Sequence, residues 1–294
     1  MKKFLYALLG LLTLAGCAGG GQSRQHSGPL QVSVSVAPLA WFVDRLAGDL
    51  AQTHIMVPKG VNPEEYDPSP REIATLEESE LFVCVGTMPF EETWVRKITD
   101  AKSDSIKILD LSTLMPEAVL FPLGKGDDGH HGHGDPHIWS SFAGAKAIAE
   151  AVYDELVRLL PEDKKTLQTN YEALTDVISN LRDTTFEAFS SKAKYHAFLI
   201  YHPSLTAYSM EMGLRQIAVE GSGKEPSVRD LTEIIDLVDR VGGVGVALVQ
   251  KEFNAETVRT LADRVGAEVV EINPYDYDWE AQMRLLRDTL AEEE

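Results

Sequence analysis

The first indication of the fold is the stretch Gln31-Val32-Ser33-Val34-Ser35-Val36. Apolar and polar residues alternate along it with a period of two, which predicts a β-strand. Residues 38–46 follow with apolar side chains at helical spacing, which predicts an α-helix. The two segments together form a strand–helix unit, and the same unit recurs along the chain.

Three further strands are predicted in the first half of the chain, at residues 54–57, 81–86 and 106–109. Ser69 and Glu72 have the spacing of a capping box, with Pro70 at the first helical position. This arrangement predicts a helix that begins at Pro70 and ends near Ser79. A further helix is predicted at residues 90–99, so strands and helices alternate throughout this half.

The alternation stops in the middle of the chain and then begins again. Apolar residues at helical spacing predict one helix at residues 142–159 and a longer one from about 162 to 191. At 1.5 Å per residue, the longer helix would extend about 45 Å. Four more strands are then predicted at residues 196–201, 214–219, 244–250 and 267–272, with helices between them.

Short strand–helix repeats produce parallel strands with right-handed crossovers. The sequence therefore predicts an α/β protein with two lobes, each a four-stranded parallel sheet, joined by one long rigid helix. The predicted division is a signal peptide at 1–16, a lipidated flexible tether at 17–28, an N-terminal α/β lobe at 29–160, a linking helix at 161–192 and a C-terminal α/β lobe at 193–294.

The first residues have the pattern of an export signal. Lys2 and Lys3 precede an apolar run that ends near Leu14, and small residues then lead to Cys17. Residues 14–17 resemble a bacterial lipobox, which implies that Cys17 is lipidated and becomes the new amino terminus. The alternative is an ordinary cleavable signal. The lipobox predicts a protein of the periplasm or cell surface, anchored to a membrane through Cys17.

The charge of the chain limits the classes of partner. The formal net charge is −19 at pH 7, and removal of Lys2 and Lys3 with the signal would make it −21. Such an acidic protein repels polyanions and favours cations. We therefore expect no nucleic-acid partner.

A histidine-rich stretch at residues 124–139 predicts metal binding. It holds four of the eight histidines of the chain, and these are His130, His131, His133 and His137. Imidazole is the commonest protein ligand for zinc-like ions. A solvated polar loop is the alternative for the first three histidines. His137 differs from them because Pro136 stiffens the backbone before it and apolar residues follow it.

Other candidate ligands follow the predicted strands. Ligands of open parallel sheets bind beyond the carboxyl ends of the strands. Glu64 and Glu65 follow the second strand, His137 follows the fourth, His202 follows the fifth and Asn273 follows the eighth. Two positions from each lobe would meet in the cleft, where histidines and a carboxylate favour a divalent cation such as Zn²⁺.

Each of these residues also has an ordinary structural interpretation. His202 could cap the end of its strand, Asn273 could form a turn, and Glu64 and Glu65 could be surface carboxylates. The expectation of a shared site depends on His137 and His202 converging from opposite lobes.

The sequence resembles the solute-binding lipoproteins of bacterial zinc and manganese ABC importers. The motifs that carry the resemblance are at residues 61–70, 135–139, 201–203 and 223–227. The resemblance implies two lobes joined by a rigid helix. It also implies that His137 and His202 are metal ligands, that Glu64 stands where the family usually has a histidine, and that Asn273 stands where it usually has an aspartate.

The predicted metal shell is Glu64, His137 and His202, completed by water, Asn273 or Glu65. The predicted function is that of a monomeric binding protein, not an enzyme, which captures zinc and delivers it to an ABC permease. His130, His131 and His133 would concentrate the ion weakly, as the histidine-rich loop of the zinc branch implies. With an ordinary histidine pKa, affinity should fall below about pH 6.5.

Other functions remain open at this point. A manganese- or iron-specific protein of the same class is the first alternative, because one imidazole is exchanged for a carboxylate. A zinc hydrolase and an adhesin that uses the metal structurally are less favoured. The chain has no His-Glu-x-x-His sequence, which counts against the hydrolase.

Overall fold

The computed structural model describes residues 28–102, 106–120, 135–192, 195–221, 225–251, 253 and 255–291. The predicted signal peptide, Cys17, the tether up to residue 27, and the loop histidines His130, His131 and His133 lie outside the described residues.

Two parallel four-stranded sheets form the framework of the protein. The first contains β1 (Leu30–Val34), β2 (Ala51–Ile55), β3 (Leu81–Cys84) and β4 (Lys107–Asp110), in the order β2-β1-β3-β4. The second contains β5 (Ala197–Ile200), β6 (Arg215–Ala218), β7 (Val246–Gln250) and β8 (Glu268–Ile272), in the order β6-β5-β7-β8. Every strand pair is parallel, so the predicted α/β class is confirmed.

Ten α-helices accompany these strands in the described part of the chain. They are α1 (Ala37–Ala47), α2 (Pro70–Glu78), α3 (Pro89–Lys102), α4 (Glu117–Leu120), α5 (Phe142–Leu159), α6 (Lys164–Lys192), α7 (Thr206–Glu211), α8 (Val228–Arg240), α9 (Ala255–Val265) and α10 (Trp279–Leu290). The predicted long helix is α6, which has 29 residues. The four-residue α4 was not predicted. None of the described helices has both the length and the apolar character needed to cross a bilayer.

Local sequence signals explain where several elements begin and end. The Oγ of Ser69 accepts a hydrogen bond from the N–H of Glu72, and the Glu72 carboxylate accepts one from the N–H of Ser69. This reciprocal capping box confirms the predicted start of α2. After α9, Gly266 has a φ of 75°, a left-handed conformation that glycine adopts without steric cost and that lets the chain turn into β8.

The second strand begins three residues earlier and ends two residues earlier than the sequence predicted. It pairs with β1 from Ala51 to Ile55, whereas the apolar pattern indicated residues 54–57. The reason is that β2 lies at the edge of its sheet and is only partly buried. Polar residues such as Gln52 and Thr53 are tolerated there, so hydropathy alone does not mark the strand.

The last helix packs against the first half of the chain. The Trp279 ring in α10 lies 5.1 Å from the ring of Trp41 and 5.4 Å from that of Phe42, both in α1. Phe142 at the start of α5 lies 6.2 Å from Trp279. The largest buried cluster therefore combines residues from both halves of the chain. The boundaries at residues 160/161 and 192/193 stay predictions.

Candidate metal centre

Three of the predicted ligands meet in the cleft between the sheets. Glu64 lies in the loop after β2, His137 lies immediately before the 3-10 turn that leads to α5, and His202 lies two residues after β5. One ligand atom from each can be chosen so that all three lie within 4.8 Å of one another. The two imidazole rings have centroids 5.1 Å apart.

The distance between Glu64 and His202 fits a shared cation. Nε2 of His202 lies 3.2 Å from Oε1 of Glu64. Two ligand atoms of a tetrahedral zinc, each about 2.0 to 2.2 Å from the ion, are about 3.4 Å apart. These two side chains therefore need little movement to bind one zinc ion.

The loop that carries Glu64 is held from both sides. The side-chain oxygen of Asn62 accepts a hydrogen bond of 3.0 Å from the N–H of Glu64. The hydroxyl of Tyr66 donates to the carbonyl of Met56 at 2.8 Å, and the Tyr66 ring packs edge-on against Phe90. The Asn-Pro-Glu-Glu-Tyr sequence thus forms a turn that directs one carboxylate towards the cleft.

His137 is fully buried and oriented by Asp135. Oδ1 of Asp135 accepts hydrogen bonds from the backbone N–H of His137 at 2.9 Å and from its Nδ1 at 2.8 Å. A carboxylate can only accept, so the ring proton is on Nδ1 and the lone pair is on Nε2. Burial lowers the pKa of His137 below its ordinary value, despite the hydrogen bond to Asp135. His137 is therefore neutral, as a metal ligand must be.

His202 is held by groups from three different elements. Its backbone N–H donates to Oε1 of Gln250 at the end of β7, at 2.9 Å. Its Nδ1 lies 3.4 Å from Oε1 of Glu220, and its ring stacks on Phe253 at 4.8 Å. Nε2 is left facing Glu64. Both histidines thus present Nε2 to the cleft and hold Nδ1 against a carboxylate, an arrangement common in metal sites.

Two carboxylates change the charge state of His202. Burial by itself would lower the pKa of His202, but the hydrogen bonds and charges of Glu220 and Glu64 raise it to about 9. His202 is therefore protonated at neutral pH in the metal-free protein, unlike His137. The sequence prediction used an ordinary histidine pKa near 6.5, which the two neighbouring carboxylates make too low for His202.

Glu220 and Tyr275 were missed by the sequence analysis. Glu220 lies two residues after β6, so the carboxyl-edge rule would have found it. Tyr275 follows β8 and its hydroxyl lies 2.7 Å from Nε2 of His137. No local sequence pattern marks this contact, because it joins residues that are 138 positions apart.

Glu65 and Asn273 are the two residues predicted to complete the shell, and the cluster of three acidic and histidine side chains does not include Glu65. Glu65 is exposed. Asn273 is buried, and its side-chain oxygen accepts a hydrogen bond of 3.1 Å from the N–H of Tyr275. Its amide nitrogen donates to Asp276 at 3.2 Å. Asn273 therefore forms a turn that holds the backbone of Tyr275, and metal ligation by Asn273 or Glu65 stays a prediction.

Comparisons with known proteins identify the family and several relatives of this chain. The family model for the periplasmic component A of zinc-uptake complexes, ZnuA, matches residues 32–292. The zinc-binding lipoprotein AdcA of Streptococcus pneumoniae is 29% identical over 290 residues, covering 94% of this chain and 56% of AdcA. The high-affinity zinc uptake system protein ZnuA of Bacillus subtilis is 24% identical over 274 residues, covering 89% of this chain and 84% of that protein.

A solved structure supports the same relationship. A crystal structure of ZnuA has a TM-score of 0.78 and 26% identity, covering 90% of this chain and 98% of its own. The chain spans about half the length of the AdcA relatives that it matches. Since the family model covers most of the chain, the protein belongs to the ZnuA family, whose description is the periplasmic component A of zinc-uptake complexes.

Proposed function

We propose that this protein captures Zn²⁺ outside the cytoplasm and delivers it to the permease of an ABC importer. The observation that carries the proposal is the cluster of Glu64, His137 and His202, whose ligand atoms come from both lobes and lie within 4.8 Å of one another. The protein would act as a monomeric binding component and not as an enzyme. The relatives named as a zinc-binding lipoprotein and as a zinc uptake protein support this function.

The ligand set favours zinc over manganese. Two neutral imidazoles and one carboxylate suit a four-coordinate zinc ion, whereas manganese prefers octahedral oxygen ligands. The cleft supplies three protein groups, and water would complete the shell. Zinc is the cargo here, so affinity must be high enough for capture and the ion must still be released.

Lipid attachment at Cys17 would keep the protein next to its permease. The lipobox at residues 14–17 supports this part of the proposal, as does the name of a relative described as a lipoprotein. The loop histidines His130, His131 and His133 would bind zinc weakly and raise its concentration near the cleft.

The function is tested by metal analysis and competition. We expect the protein, loaded with zinc and then dialysed, to retain one tightly bound equivalent, and we expect equimolar manganese or iron not to displace it. Isothermal titration with a competing chelator measures the affinity for each metal. Preferential retention of manganese or iron would contradict the assignment of zinc, and the absence of any tight site would contradict the proposed function.

Zinc binding should release about one proton near pH 7.5. The pKa of His202 is raised to about 9, so its imidazole is protonated there and must lose that proton to bind zinc. Apparent affinity should therefore rise with pH up to about 9 and should fall by up to about tenfold per pH unit below it. Titration calorimetry in buffers of different ionisation enthalpy counts the protons. A count near zero at pH 7.5 would contradict the raised pKa.

Replacing Asp135 with alanine should weaken zinc binding by about 10- to 100-fold. The carboxylate holds both the backbone N–H and the Nδ1–H of His137, so its loss frees the ring to rotate. Asp135→Asn is the matched control, because it keeps an oxygen acceptor and should lose less affinity. Chelator competition measures both variants. Equal affinities for wild type and Asp135→Ala would show that Asp135 does not position the ligand.

A further inference from the structure

The hydroxyl of Tyr275 is hydrogen-bonded to Nε2 of His137, the nitrogen that would bind zinc in the proposed site. The hydroxyl lies 2.7 Å from Nε2 of His137, and it donates to that nitrogen because the ring proton of His137 is on Nδ1. The lone pair that accepts this hydrogen bond is the one that would bind zinc. The two interactions exclude each other, so the hydroxyl must leave before His137 can act as a ligand.

The backbone of Tyr275 is fixed in place. Its N–H donates to the side-chain oxygen of Asn273 at 3.1 Å, and the N–H of Asp276 donates to the Asn273 carbonyl at 3.0 Å. The preceding carbonyl, that of Pro274, accepts a hydrogen bond of 2.8 Å from the indole of Trp139. Because the backbone is held, the hydroxyl can leave His137 only by rotation of the Tyr275 side chain, whose ring lies 5.5 Å from that of Trp139.

A cavity lies beside the Tyr275 ring. It has a volume of about 220 Å³ and its lining includes Val57, Pro63, Tyr275 and Tyr277. A cavity of about 150 Å³ is sufficient to hold benzene, so a phenol ring fits into this space. Tyr275 thus lies between the proposed metal site and a space large enough to receive its ring.

We infer that the hydroxyl of Tyr275 blocks Nε2 of His137 and must move away before zinc can bind there. We call this hydrogen bond between Tyr275 and His137 the latch. The hydroxyl is hydrogen-bonded to Nε2 of His137 in this structure, and for zinc to bind there the ring turns into the adjacent cavity. Tyr275 is then a positioning residue that sets how quickly zinc enters. This inference rests on the proposed function, because it assumes that His137 and His202 bind zinc.

The first test is Tyr275→Phe, which removes the hydroxyl and keeps the ring. Because the latched state no longer competes, we expect zinc affinity to rise by about three- to tenfold, the value of one ordinary hydrogen bond. The gain should appear in the association rate measured by stopped flow, with the dissociation rate unchanged, since the hydroxyl has already left His137 in the zinc-bound protein. Loss of a merely structural contact would not accelerate association.

Tyr277→Phe is the matched control. Tyr277 lines the same cavity, but its hydroxyl donates to Oδ2 of Asp44 at 2.9 Å instead of to His137. We expect this variant to bind zinc at the wild-type rate. Equal acceleration in both variants would overturn the latch, because it would reflect a general loosening of the segment.

The route of opening has its own test. Ala37 also lines the cavity, and Ala37→Leu should fill part of the space and slow zinc association. An unchanged association rate in Ala37→Leu would overturn the movement of the ring into the cavity. Thermal unfolding of each variant shows that it is folded.

The outcomes separate the latch from the function itself. If Tyr275→Phe binds zinc more weakly than wild type, the hydroxyl helps to hold the metal and the latch is wrong. If Tyr275→Phe and wild type bind zinc with the same affinity and the same rates, the latch is wrong and the zinc site stands. If neither binds zinc tightly, the proposed function has failed.

Discussion

Replacing His202 with alanine is expected to lower zinc affinity by about a hundred- to a thousandfold. Zinc sites with four ligands bind with about 10 to 16 kcal/mol, so one ligand contributes about 2.5 to 4 kcal/mol, and each 1.4 kcal/mol is about tenfold in affinity. His202 also separates two carboxylates, since its nitrogens lie 3.2 Å from Glu64 and 3.4 Å from Glu220. No other described residue replaces that imidazole in the cluster.

The control for this variant is His196→Ala. His196 is exposed and lies outside the cluster, so its removal should leave the tight site unchanged. Competition with a chromophoric zinc chelator measures affinities too tight for direct titration. Loss of a full ligand lowers zinc affinity by far more than about tenfold. If the affinity of His202→Ala falls by less than about tenfold, His202 does not bind the metal.

Replacing Trp279 with alanine is expected to lower the free energy of unfolding by about 3 to 5 kcal/mol. Trp279 is 2% exposed and contacts the rings of Trp41, Phe42 and Phe142. Its indole N–H also donates to the carbonyl of Trp139 at 2.7 Å. The substitution would leave a cavity in the shared core and a carbonyl without this partner, and both effects destabilise.

Urea unfolding of the metal-free protein measures this loss. Val228→Ala is the control, because Val228 is 82% exposed and its truncation should change stability by no more than about 0.5 kcal/mol. A loss below about 1 kcal/mol in Trp279→Ala would contradict the view that α10 stabilises the first half of the chain.

Much of the fold could be predicted because its signals are local. The period-two alternation at residues 31–36 and the capping box at Ser69 are each read within a few residues, and both are confirmed by the structure. The edge strand β2 was placed too late because its polar residues carry no hydropathy signal. Local patterns thus identify the elements more reliably than their limits.

The candidate site could be predicted only in part. Ligands bind at the carboxyl ends of parallel strands, and this rule predicted that Glu64, His137 and His202 lie near one another. The structure places the three side chains together. The contact of Tyr275 with His137 depends on how the lobes pack, and the raised pKa of His202 depends on carboxylates from two other loops. Neither is encoded in a short stretch of sequence.

The position of α10 has a consequence for how the protein is made. Trp279 completes a hydrophobic cluster with Trp41 and Phe42, yet it leaves the ribosome more than two hundred residues after them. At about 5 to 20 residues per second, that interval lasts roughly ten to fifty seconds. During this time Trp41 and Phe42 lack the ring that covers them in the folded protein, and such transiently exposed apolar surface favours aggregation.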